Sequence, residues 1–100
     1  MLKWFDAKDE QTFGKSLAQF YVDRVPFESP FSKKKFATKT QDTLKQIDRQ
    51  IQQFKSGRSL NVYKKAKLGN AFKWVLRDAG YDNEYVDELT EWLMLSLQAG

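Results

Sequence analysis

Apolar residues recur along this chain every third or fourth position, and no stretch shows the period of two that marks a half-buried strand. Four amphipathic segments follow from that pattern. The first runs from about Asp6, whose carboxylate can accept from the orphan N–H groups of a first turn, to about Val25 before Pro26. Asp9 and Glu10 fall where the helix dipole favours acids. The apolar stripe of this segment is Phe13, Leu17, Phe20 and Tyr21. Gly14 and Ala18 flank it one turn apart, small enough to let a neighbouring helix approach closely. The connection over residues 26–32 holds both prolines, and its Phe27 and Phe31 are expected to tuck under the bundle.

The second segment starts somewhere between Ser32 and Thr40 and ends at Ser56, where Gly57 supplies a left-handed cap. Phe36, Leu44, Ile47, Ile51 and Phe54 mark its buried side, the last four at spacings of 3, 4 and 3, as in bundle packing. A third helix is expected from about Ser59 or Asn61 to Ala79, capped by Gly80, with Leu68, Phe72, Val75, Leu76 and Ala79 on one face. The fourth has the clearest start: Asp82 is its N-cap, and Tyr81 and Val86 occupy the two positions that clasp a helix entry from either side. Its inward residues are Tyr85, Val86, Leu89, Trp92, Leu93 and Leu97. The pattern predicts an all-α fold, a compact four-helix bundle-like single domain over residues 1–100. Short connections at Gly57 and Gly80 are expected to make successive helices antiparallel neighbours.

Composition narrows the function classes. At 100 residues and 41% hydrophobic content the chain suits one domain and is too short for two. It has neither cysteine nor histidine, which removes disulfide frameworks, thiol chemistry, zinc fingers and any histidine base. No Gly-rich phosphate loop is present, and no carboxylate pair sits beside a feature suggesting a buried pocket. The expectation is therefore a non-enzymatic protein without cofactor or metal. Acidic residues appear as early as Asp6, before any apolar run of leader length. The apolar run from Trp92 to Leu97 is far short of a membrane span. A soluble, cytoplasmic protein that does not engage membranes is expected.

The net charge of +4 hides a segregation along the chain. Residues 33–77 carry 13 Lys/Arg against 2 Asp/Glu, whereas residues 78–100 carry 6 acids and no base. Within the basic stretch, Lys33, Lys34, Lys35 and Lys39 crowd the predicted start of the second helix. The first three, in a first turn, each oppose the helix dipole by about 0.3–1 kcal/mol, a conflict that an anion would relieve. The alternative is a later helix start, near Thr38 or Thr40, with the lysines in a solvated loop. Further along, Lys45 and Arg49 with Gln46, Gln50, Gln52 and Gln53 form an outer face able to contact phosphates and base edges.

A more specific constellation lies on the third helix. Tyr63, Lys67, Asn70, Trp74 and Arg77 fall at i, i+4, i+7, i+11 and i+14, opposite the apolar stripe. Aromatics interleaved with Lys and Arg make a partner-binding face, because Trp, Tyr and Arg dominate interface energetics and also stack nucleic-acid bases. The competing reading buries Trp74 under Trp4 and Phe5. On the fourth helix, Glu84, Asp87, Glu88 and Glu91 form an acidic outer face without the Asp-rich loop of a calcium site. Met94 and Leu95 lie off its inner face and give Trp92 to Leu95 apolar character all round. Cover comes either from within the chain or from a homodimer interface at Met94 and Leu95. The functional expectation is a small helical protein-interaction or adaptor module, with weak non-specific nucleic-acid (polyanion) binding through the basic second and third helices as the alternative.

Overall fold

The computed structural model describes residues 6–25 and 33–98, and for residues 33–39 the backbone alone. It contains four helices, α1 (Lys8–Arg24), α2 (Lys33–Lys55), α3 (Val62–Asp78) and α4 (Asn83–Gln98), with no strand among the described residues. The all-α, four-helix reading holds. Phe27, Phe31, Trp4 and Phe5, and with them the packing roles expected of those rings, lie outside the described residues.

Local signals set the helix ends. The Asn61 side chain accepts from Lys64 N at 2.8 Å and caps α3, and the Asp82 carboxylate accepts from Glu84 N at 3.2 Å and caps α4. Gly57 and Gly80 adopt φ of 76° and 101°, the left-handed region expected of both. At the end of α3, Gly80 N donates to Arg77 O while Tyr81 N donates to Leu76 O. That closes a Schellman motif, and its outer residue Tyr81 and inner residue Leu76 are both buried. The first helix begins two residues later than Asp6, with Ala7 at the cap position. Asp6 still accepts from Lys8 N at 3.3 Å, so the capping group stands one residue outside the cap itself. Asp9 and Glu10 fall in the first turn as expected, and Glu10 is buried there.

The helix directions can be read from side-chain pairs. Asp9 meets Arg58 at 3.6 Å and the Phe13 ring stacks on Phe54 at 4.1 Å, so the start of α1 lies at the end of α2 and the two are antiparallel. Gly14 of α1 lies on Leu68 and Ala71 of α3, and Val25, just past α1, accepts a hydrogen bond from Tyr81, just past α3; these two helices are parallel. Lys73 of α3 meets Asp87 of α4 at 3.2 Å and Gly69 abuts Met94, which makes α3 and α4 antiparallel. The circuit of neighbours is α1, α3, α4, α2 and back to α1, and α2 and α3 barely touch. This corrects the expectation that all successive helices are neighbours. A short connection brings two helix ends together, but a larger contact between α1 and α3 takes the face that α2 would have used.

That contact explains itself at Gly14. A methyl group placed there would stand 2.3 Å from the Leu68 carbonyl oxygen and 3.2 Å from Ala71 Cβ, so the two helices meet almost backbone to backbone. Leu17, Ala18, Tyr21 and Val25 of the first helical segment then join Leu68, Phe72 and Leu76 in the core, with Ile47, Ile51, Val86, Leu89, Leu93 and Leu97 closing it. On α2 the 3-4-3 series divides. Ile47 and Ile51 are fully buried, while Leu44 and Phe54 are half-buried at the seams and Thr43 joins the core instead.

Gly14→Ala tests the close approach. In an ordinary helix interior this change stabilises by about 0.8–1 kcal/mol, whereas overpacking costs about 1–3 kcal/mol, and a backbone carbonyl cannot step aside as a side-chain end can. Urea unfolding should show a net loss of about 1–2 kcal/mol. A variant as stable as the parent would mean that the helices do not meet in this way.

Candidate functional site

Parallel helices in such close contact leave a groove on their outer side. It has a volume of about 390 Å³ and is lined by Gln11 and Lys15 of α1 and by Lys67, Asn70, Ala71, Trp74, Val75 and Asp78 of α3. Ala71 and Val75 floor it, the amides of Gln11 and Asn70 offer donors and acceptors, and Lys15 and Lys67 supply positive charge. Trp74 stands 57% exposed at its rim. With α1 and α3 this close there is no space between them for an indole, and the described residues leave more than half of it in solvent.

The structure thus brings three of the residues singled out on the third helix, Lys67, Asn70 and Trp74, into one groove. The other two behave differently. Tyr63 is half-buried one turn below, its ring 5.4 Å from Lys67 Nζ. Arg77 lies over the Trp74 ring at 5.5 Å, and its guanidinium also reaches Asp87 at 3.8 Å. It therefore supports the indole from the α4 side and is not free to meet a partner. Sequence periodicity could not supply Gln11 and Lys15, because they come from a helix whose placement beside α3 depends on Gly14.

The remaining candidates are dispersed. Helix α2 begins at Lys33, so the backbone of Lys33, Lys34 and Lys35 does form its first turn and Lys39 the next; the side chains of these four lie outside the described residues. Met94 packs against Gly69 and the core within the chain, whereas Leu95 is 60% exposed, so the two residues paired as an oligomer interface face different surroundings. Glu84, Asp87, Glu88 and Glu91 are exposed, and Asp87 alone of these takes part in ion pairs among the described residues. A wider depression of about 610 Å³ lies between α2 and α4, where Trp92 is half-buried over Leu44, Lys45 and Asp48. Among the described residues no group of three or more acids is placed to hold a metal ion, and no helix is long and apolar enough to cross a membrane.

A cluster that hydropathy patterning reads only as apolar surface joins the helix ends. The hydroxyls of Tyr21 and Tyr85 hydrogen-bond to one another, and Tyr81 donates to Val25 O. The three rings lie within 6.4 Å of each other between centroids. Burial raises all three phenols above their ordinary value, Tyr21 furthest, with its bond to Tyr85 adding to the effect, and Tyr81 to about 12. Such phenols stay protonated at neutral pH and act as fasteners, not as nucleophiles or bases.

Two outcomes follow. The folded state holds its tyrosine protons more tightly than the unfolded chain, so stability is full below about pH 10 and falls as pH rises toward 12. Tyr81→Phe should cost about 1 kcal/mol at neutral pH through the lost bond to Val25, and should make the alkaline fall shallower than that of the parent. Parallel profiles in urea unfolding between pH 8 and 11 would contradict this. Trp74→Ala, a change at the surface, should alter stability by no more than about 0.5 kcal/mol; a loss of about 3–5 kcal/mol would mean that the indole is packed.

Comparison of the chain with protein-family models, with curated proteins and with solved structures finds no match in any of the three.

Proposed function

We propose that this domain is a non-enzymatic protein-interaction module and that the α1/α3 groove rimmed by Trp74 is its binding face. The supporting observation is the 57% exposure of that tryptophan beside a groove containing both donors and cations. Covering an indole left this exposed would contribute on the order of 2–4 kcal/mol to a complex, the magnitude expected of an interface anchor. Arg77, 5.5 Å from the ring centroid and paired with Asp87, limits the indole's freedom before binding, which lowers the entropic cost of capture.

Placing a photo-crosslinking residue at Asn70 tests this in native lysate. The expected product is a protein adduct that survives nuclease treatment and is lost in Trp74→Ala. An adduct that disappears with nuclease, or with salt at the steep dependence of phosphate contacts, would assign the face to nucleic acid instead. Capture indifferent to Trp74 would remove the groove from consideration.

A further inference from the structure

The acidic face of α4 has the chemistry and spacing that the groove lacks. Glu84, Glu88, Glu91 and Leu95 recur at i, i+4, i+7 and i+11, all exposed, so they form one stripe on the outer side of the bundle. Neither Glu88 nor Glu91 has an ion pair among the described residues, and Leu95 is 60% exposed. On α3, Lys67, Asn70 and Trp74 recur at i, i+3 and i+7, and so do Glu88, Glu91 and Leu95 on α4.

Laid parallel, the two series match position by position over about 10 Å. Glu88 meets Lys67. Glu91 meets Asn70 at the level where Lys15 enters from α1, and Leu95 covers Trp74. In the opposite direction, setting Leu95 on Trp74 brings Glu91 onto Asp78, so it is the parallel register that covers the indole with Leu95 while keeping the acids off that carboxylate. Within one molecule the parallel register is closed off: α4 runs antiparallel to α3 and is already packed on it through Gly69 and Met94.

We propose that the occupant of the α1/α3 groove is the Glu88–Glu91–Leu95 stripe of a second copy of this chain. This rests on the reading of the groove as a docking face and adds the partner. Because the two surfaces differ, association is heterologous, closing as a reciprocal pair or extending. One apolar anchor and a few exposed ion pairs make a weak complex, with Kd on the order of tens of micromolar.

Sedimentation velocity from about 10 to 500 micromolar tests it. The parent should associate with rising concentration. The double variants Lys15→Glu/Lys67→Glu and Glu88→Lys/Glu91→Lys should each associate at least about tenfold more weakly, since each brings like charges together. An equimolar mixture of the two should recover association, because each variant then presents the complement of the other. All four positions lie at the surface or its edge, and circular dichroism of each variant checks that it is folded; Leu95→Gln, which carries no charge change, should weaken association as well.

A parent that stays monomeric at 500 micromolar, or variants that fail to recover on mixing, overturns the proposal. If that happens while the Asn70 crosslinker still captures a different protein in a Trp74-dependent way, the groove remains a docking face and only the choice of partner falls. If neither association nor capture is seen, both readings fall.

Discussion

Two helices can meet backbone to backbone only where one of them has no side chain, and here that place is Gly14 against the Leu68 carbonyl. The rest of the arrangement follows from this contact. It sets α1 and α3 side by side, so Leu17, Ala18 and Tyr21 share one buried cluster with Leu68, Phe72 and Leu76. It also displaces α2, which packs across α1 and α4 although it precedes α3 in the chain. On the outer side, the same closeness leaves a shallow groove and keeps Trp74 out of the interior.

The polar contacts work at the ends of this frame. At one end, three tyrosines tie the exit of α1 to the entry of α4: Tyr81 holds the Val25 carbonyl, and the hydroxyls of Tyr21 and Tyr85 satisfy each other. At the other, Arg58 joins Asp9 and stacks on Phe54, closing the α1–α2 seam. These exposed ion pairs contribute little to stability individually. Their value is positional. Along the α3–α4 seam, Lys73 and Arg77 both engage Asp87, while Glu84, Glu88 and Glu91 stay exposed with no ion pair among the described residues.

Much of this was legible in the sequence because it is written in local chemistry. The caps at Asp82, Gly57 and Gly80 and the inward rows of α3 and α4 depend on residues within a few positions of one another, and local signals read them directly, whereas the start of α3 stays open between Ser59 and Asn61 until the Asn61 cap is seen. The small pair Gly14 and Ala18 announced a close helix approach, but its partner depended on a contact some 54 positions away in the chain, and a period of 3.6 has no term for that. The choice of α3 over α2 as that partner therefore escaped. So did the contribution of Gln11 and Lys15 to the groove. Tyr21, Tyr81 and Tyr85 were visible as apolar positions, whereas the convergence of their hydroxyls arises only once three separate segments have met. Arg77 was placed on the binding face by its spacing, but its tie to Asp87 depends on how α4 lies along α3.

If the α1–α3 contact is the element on which the others depend, it should also be the last to open. Native-state hydrogen exchange followed residue by residue measures this directly. The amides of Leu17, Ala18, Leu68 and Phe72 should exchange only through global unfolding, with one common opening free energy, while those of α2 open at lower cost because that helix packs on α1 and α4 and takes little part in the α1–α3 contact. Protection in α2 equal to or greater than that in α1, or separate opening of α1 and α3, would contradict it.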